Sequence, residues 1–210
     1  MSILQFFWKN QAQVYELTLE HLWLVGISML LAVSIGLPLG ILLTRRPAFR
    51  KGILGISTVV QTIPSLALFG FLLASPWLGE RADRIAITAL TLYALLPIIQ
   101  NTYAGIMGVD HNVREAARAM GMTDFQLLSQ VELPLAMGVI LAGVRVATVI
   151  TVGVAAIAAA VGAGGLGEFI FRGLAMVDNR VILAGAIPAA LMALLADLLL
   201  GLLERRFRYA

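Results

Sequence analysis

The sequence predicts an all-α polytopic membrane protein with five transmembrane helices, and three observations predict it. Of 210 residues, 60% are hydrophobic and 13% charged, against roughly 25% charged in an ordinary soluble domain. One soluble core of this size could not hide so many apolar side chains. The apolar residues also fall into blocks, at about 22–43, 53–74, 85–108, 134–161 and 181–203. At ~1.5 Å per residue each block is long enough for a ~30 Å hydrocarbon layer. Finally, the basic residues cluster between and beside these blocks, which is a membrane-topology signal and does not point to nucleic acid.

Residues 1–20 form an N-terminal segment with Phe6, Phe7, Trp8, Tyr15 and Leu19, either an interfacial helix or a loose terminus. Lys9 is its only basic residue, so no cleaved leader is expected. The transmembrane domain runs from 18 to 203, and a basic tail occupies 204–210. Pro38, Pro64, Pro97 and Pro188 lie inside blocks. A membrane helix tolerates such prolines as kinks where side chains satisfy the freed carbonyls. The block at 134–161 exceeds one straight span, so its chain is expected to leave the helix at Gly162-Ala-Gly-Gly-Leu-Gly167.

Orientation follows from the connecting segments. Arg45, Arg46, Arg50, Lys51, Arg114, Arg118, Arg205, Arg206 and Arg208 fall on one side. Lys9, Arg81, Arg84, Arg172 and Arg180 fall on the other, the last four beside Glu80, Asp83, Glu168 and Asp178. Nine basic residues against five put the first group in the cytoplasm, with the N-terminus outside.

The stretch 109–133 is the one long polar, helix-forming segment between blocks. Asn112 and Glu115 have the spacing of a capping box for a first helix, Gly121 suits a left-handed stop, and Thr123 with Gln126 repeats the box for a second helix. Pro134 falls where the fourth block begins. A segment of ~25 residues between spans needs something to pack on. Ala116 and Ala117 permit close approach of another surface, and Met120 offers a soft apolar contact.

This stretch resembles the EAA loop of permease subunits of ABC importers, at Glu115, Ala116, Ala117, Gly121, Leu133 and Pro134. The resemblance implies docking of the loop into a cleft of a cytoplasmic ATPase, so Glu115, Ala116, Ala117, Met120, Gly121, Leu133 and Pro134 are the expected partner-binding residues. It extends along the chain. Thr18-Leu-Glu-His-Leu22, Gln61-Thr-Ile-Pro-Ser65, Leu96-Pro-Ile-Ile-Gln-Asn-Thr-Tyr-Ala-Gly-Ile106, the Gly162–Gly167 stretch and Ala184-Gly-Ala-Ile-Pro-Ala189 are similar to permeases of osmoprotectant importers. Methionine importer permeases share the five spans, the loop and the glycine stretch, and are the alternative. The resemblance further implies a bacterial inner-membrane location, a second permease subunit (identical or related) and an extracytoplasmic solute-binding protein. ATP and magnesium would reside on the ATPase, and no cofactor on this chain. Because the chain ends soon after Arg208, no fused solute-binding domain is expected.

Other functional classes find little support. There is no cysteine, no G-x-x-x-x-G-K-[S/T] loop, no metal-spaced cluster and no nucleophile–base set, so an enzyme is not expected. His21 and His111 fall on opposite sides. Gly162–Gly167 formally satisfies G-x-G-x-x-G, but it follows a membrane helix instead of a strand. Its glycines Gly162, Gly164, Gly165 and Gly167 point to a tight exit from the helix or, through the resemblance, to a gate at the outer mouth. Gln61, Ser65 and Asn101 would line an aqueous route or hydrogen-bond across helices. Small residues crowd the fourth block, for close packing within the subunit or across a dimer. An ionised side chain inside a span needs a partner. Arg145 and Asp197 reach similar depths once their tilt toward each helix N-terminus is included, and are expected to form an intramembrane ion pair.

Overall fold

The computed structural model describes residues 3–75 and 81–207. Glu80 and the last three residues of the basic tail, Arg208 among them, therefore lie outside the described residues. α1 (Ile3–Lys9) leads through Asn10 into α2 (Gln11–Arg45), and a 3₁₀ turn at Pro47–Phe49 leads into α3 (Arg50–Thr62). Next come α4 (Ser65–Leu73), α5 (Ala82–Met107), α6 (His111–Ala119) and α7 (Asp124–Leu127). A π-helical turn, Leu128–Glu132, runs into α8 (Leu133–Ala155), which tightens to a 3₁₀ turn over Ala156–Val161. α9 (Gly167–Met176) and α10 (Asn179–Phe207) complete the described chain.

Among the described residues, four stretches are long and apolar enough to cross a membrane on their own: α2, α5, the continuous run Asp124–Val161 and α10. The block expected at 53–74, with Pro64 inside it, is broken at that proline more sharply than a kink. It forms two short helices, α3 and α4, bent by 100°. Proline removes an N–H and bars the preceding residue from helical dihedrals. Accordingly Ile63 is extended, at φ −68° and ψ 127°, immediately before Pro64. At 13 and 9 residues, neither arm alone spans ~30 Å. The N-terminal segment also differs from expectation. The first span reaches back to Gln11, which makes α2 35 residues long, or about 50 Å.

α5 is the central post, packed between α2 and α8, with α10 against α8 and α9. Leu24 and Met29 of α2, Leu90, Tyr93 and Ile98 of α5, and Ala147 and Val152 of α8 share one buried cluster. At Gly143 of α8 the approach to α5 is too close for any side chain. A Cβ there would lie 2.8 Å from the Pro97 carbonyl oxygen. A second cluster joins Phe6, Phe7 and Val14 to Leu166, Phe169 and Val181, so the N-terminal aromatics fold back onto α9 and α10. Trp8 stays outside it and is exposed.

Two of the proline interruptions, at Pro64 and Pro97, are bridged by side chains. Pro97 has no N–H for the carbonyl one turn earlier, that of Tyr93. Gln61 Nε2 donates to this Tyr93 oxygen at 3.0 Å. In return, the Tyr93 hydroxyl donates to the Ile63 carbonyl at the α3–α4 break. Two helix interruptions are thus tied to each other.

Candidate functional site

Three polar assemblies sit on this frame. The first is the loop between α5 and α8. Asp110 caps α6 by accepting from the Asn112 N–H at 2.7 Å. Asn112 is therefore the second residue of the helix and not its cap, because α5 ends at Met107 and lets α6 start two residues sooner than expected. Glu115, instead of closing a capping box, lies 3.0 Å from His111 Nε2 on the exposed face. At the other end Gly121 has φ +83°. Gly121 N–H donates to Arg118 O at 2.9 Å and Met122 N–H to Ala117 O at 3.2 Å, the paired bonds of a Schellman stop. Thr123 and Gln126 form the expected reciprocal box, with Thr123 N–H on Gln126 Oε1 at 2.8 Å and Gln126 N–H on Thr123 Oγ1 at 3.3 Å.

Capped in this way, the loop is held at both helices and shows apolar side chains outward. Ala117 and Leu127 face inward and are buried, whereas Ala116, Met120 and Pro134 are exposed and Leu133 is half-buried. Met120 is 72% exposed, and Phe125, which the sequence reading passed over, is 75% exposed. A large aromatic directly after a helix cap in a polar segment is the signal that would have found it.

Beneath the loop lies Glu132, 1% exposed and the only buried Asp, Glu, Lys or Arg among the described residues. Arg45, the last residue of α2, donates to Glu132 Oε2. Arg114 of α6 brings Nε to 3.2 Å from Glu132 Oε1 in an ion-pair contact. The Arg114 Nη2 also donates to the Ile106 carbonyl in the last turn of α5. Sequence reading missed this assembly because nothing in the polar loop segment marks Glu132 as buried.

The second assembly joins α8 to α10. Arg145 Nε donates to Asp197 Oδ1 at 2.6 Å and Nη2 to Asp197 Oδ2 at 2.8 Å, a two-pronged pair. Arg145 Nη1 also donates to Glu204 Oε2 at 3.2 Å. Asp197, Gly201 and Glu204 lie on one stripe of α10. Gly201 is the seat: a Cβ there would stand 3.1 Å from Arg145 Nη1.

The third assembly is the glycine stretch. Gly162, Gly164 and Gly165 have φ of +80°, +81° and +81°, so the chain leaves α8 through a left-handed turn open to glycine. The stretch is fastened to α2, as Glu20 Oε2 accepts the Gly165 N–H at 2.9 Å. A Cβ on Gly164 would collide with Glu20, and one on Gly167 with the Ala156 carbonyl. Next to Glu20, buried His21 places Nε2 3.1 Å from the Val152 carbonyl, near the end of α8. Neither Glu20 nor His21 received a role in the sequence reading.

The remaining polar candidates are scattered. Gln61 is engaged with Tyr93, Asn101 Nδ2 donates to Pro97 O one turn back at 2.8 Å, and Ser65 opens α4. The structure does not bring these three together. Among the described residues no three His, Asp or Glu side chains converge as a metal site.

A helical membrane frame with a capped polar loop between two of its spans is shared with membrane subunits of known transport systems. Residues 36–209 match the family described as binding-protein-dependent transport system inner membrane component, and the chain belongs to that family. It is 43% identical to the carnitine transport permease protein OpuCB of Listeria monocytogenes, over 98% of this chain and 93% of the relative. It is 45% identical to the glycine betaine/carnitine/choline transport system permease protein OpuCD of Bacillus subtilis, over 98% and 90%. The osmoprotectant import permease protein OsmW of Salmonella typhimurium is 41% identical, over 97% and 96%. Among solved structures, the inward-facing MetNI methionine ABC transporter superposes with TM-score 0.82 at 24% identity, over 99% of both chains. An amino acid ABC transporter with histidines superposes with TM-score 0.79 at 22% identity, over 98% and 99%. The fold is that of a type I ABC importer permease.

Proposed function

We propose that this chain is the membrane-spanning subunit of an ATP-driven importer for a quaternary ammonium osmoprotectant such as glycine betaine, carnitine or choline. The observation that carries the machine is the loop 109–133, capped at both helices, with Met120 and Phe125 held out toward a partner. An exposed apolar pair on a fixed scaffold fits the anchor role that large side chains take in interfaces. What supports the cargo is 41–45% identity, over nearly the whole chain, to relatives named for these solutes. In this reading Glu115, Ala116, Ala117, Met120, Gly121, Leu133 and Pro134 belong to the surface that meets a cytoplasmic ATPase, joined by Phe125. Two permease subunits enclose the pathway, and a binding protein delivers solute to the outer face, where Gly162–Gly167 is fastened to Glu20. Arg145 and Asp197 brace α8 against α10. Closure of the ATPases would push on the loops and rock the helices, and hydrolysis would reset them. The N-terminus lies outside and the C-terminus in the cytoplasm, as the basic residues require.

The test uses the chain co-expressed with its candidate ATPase and binding protein in nanodiscs. ATP hydrolysis is measured with glycine betaine, choline, carnitine and methionine in turn. Stimulation by a quaternary amine, lost in Met120→Asp or Phe125→Asp, is the expected result. Stimulation by methionine alone would keep the machine and replace its cargo, and absence of any co-purifying ATPase would sink the reading.

A further inference from the structure

The buried carboxylate of Glu132 does more than fill space. An ion taken out of water is costly unless paired, and a buried ion pair often stabilises no better than apolar residues of the same volume. The helix ends here already have an apolar contact of that kind, in Ile106, Ala136 and Ile140 with Leu37, Ile41 and Leu133 around them. What the ionic assembly adds is register between elements. Through Arg45 it takes hold of the end of α2, through Arg114 it takes hold of α6, and Arg114 in turn holds the Ile106 carbonyl at the end of α5. Glu132 itself ends the wide π-helical turn that leads directly into α8. Such turns interrupt an α-helix mostly at functional positions. The ends of three long helices and the first helix of the loop therefore converge on one carboxylate and one guanidinium.

We propose that Glu132, with Arg114 and Arg45, is the transmission point of the importer, where a displacement of the loop becomes one concerted movement of α2, α5 and α8. The proposal rests on the reading that the loop meets an ATPase. Glu132 is a positioning residue and touches neither solute nor nucleotide. Glu132→Gln keeps the shape of the side chain and removes the charge that both arginines share. Arg45 and Arg114 then lose their common counter-charge, and loop and helices are free to move independently.

The experiment compares wild type, Glu132→Gln, Arg114→Gln and Arg45→Gln in the complete complex, with glycine betaine as solute. Uptake and ATP hydrolysis are measured on the same vesicles, and the thermal midpoint of each complex is recorded. The expected result is that uptake per ATP hydrolysed falls at least ten-fold in Glu132→Gln and Arg114→Gln, and by a smaller factor in the more exposed Arg45→Gln. A lowered midpoint with wild-type uptake per ATP would reduce the assembly to a structural brace and overturn the proposal. If Glu132→Gln fails to assemble, the two arginine variants decide, and wild-type uptake per ATP in both overturns it. A wild-type chain that recruits no ATPase defeats the underlying reading, and this proposal with it.

Discussion

A Cβ built on Gly121 would meet no atom within 4 Å, yet the backbone there stands at φ +83°. The cost of substitution is therefore conformational and not steric. Asparagine, which visits this region more readily than other side chains, should be tolerated, whereas Gly121→Val should cost about 1–2 kcal/mol and fray the stop between α6 and α7. Thermal unfolding of the two variants in detergent tests this, and equal loss in both would contradict it. The left-handed stop was legible because glycine at the end of a polar helix has few other uses. The cap at the other end was not: Asp110 and Asn112 are both good capping residues, and the choice depends on where α5 stops. The partnership of Arg145 and Asp197 could be read from depth and tilt along two helices. Glu204 and the Gly201 seat could not, since they depend on the rotation of α10. Glu132 was illegible because it stands in a polar loop segment where nothing in the sequence marks a carboxylate as buried, whereas Arg145 and Asp197 stand inside apolar blocks.

At the scale of elements, hydrophobic length located four of the expected spans, and the second is broken at Pro64 into two short helices. Pro64 announces an interruption, but its angle is set by partners that lie outside the block. Tyr93 holds the Ile63 carbonyl while Gln61 holds the carbonyl that Pro97 leaves free, and this exchange fixes α3 and α4 at 100°. A chain without cysteine allows clean spin labelling at Ile56→Cys and Phe71→Cys. A straight helix would separate these backbone positions by ~22 Å, and the bent pair brings them to about 13 Å. Strong dipolar broadening in the labelled pair is the expected outcome, and its absence would restore a continuous second span.

For the molecule as a whole, the proposed orientation puts the loop in the cytoplasm, on the side to which the excess of basic residues points. Gln130→Cys, in the loop, should then react with a membrane-impermeant maleimide only in inverted vesicles. Val177→Cys, 88% exposed between α9 and α10, should react only from the opposite side. The reverse pattern would turn the molecule over and remove the loop from any ATPase.

The exchange between Gln61, Tyr93 and the two proline breaks has a wider consequence. These polar atoms are committed to backbone carbonyls of their own chain, and Asn101 is likewise bonded one turn back. Donors engaged in holding kinked helices together are not free to grip a passing molecule. If the chain works as proposed, such a frame would leave discrimination to whatever delivers the solute, and new cargoes would be adopted by changing the courier while the conduit stays as it is.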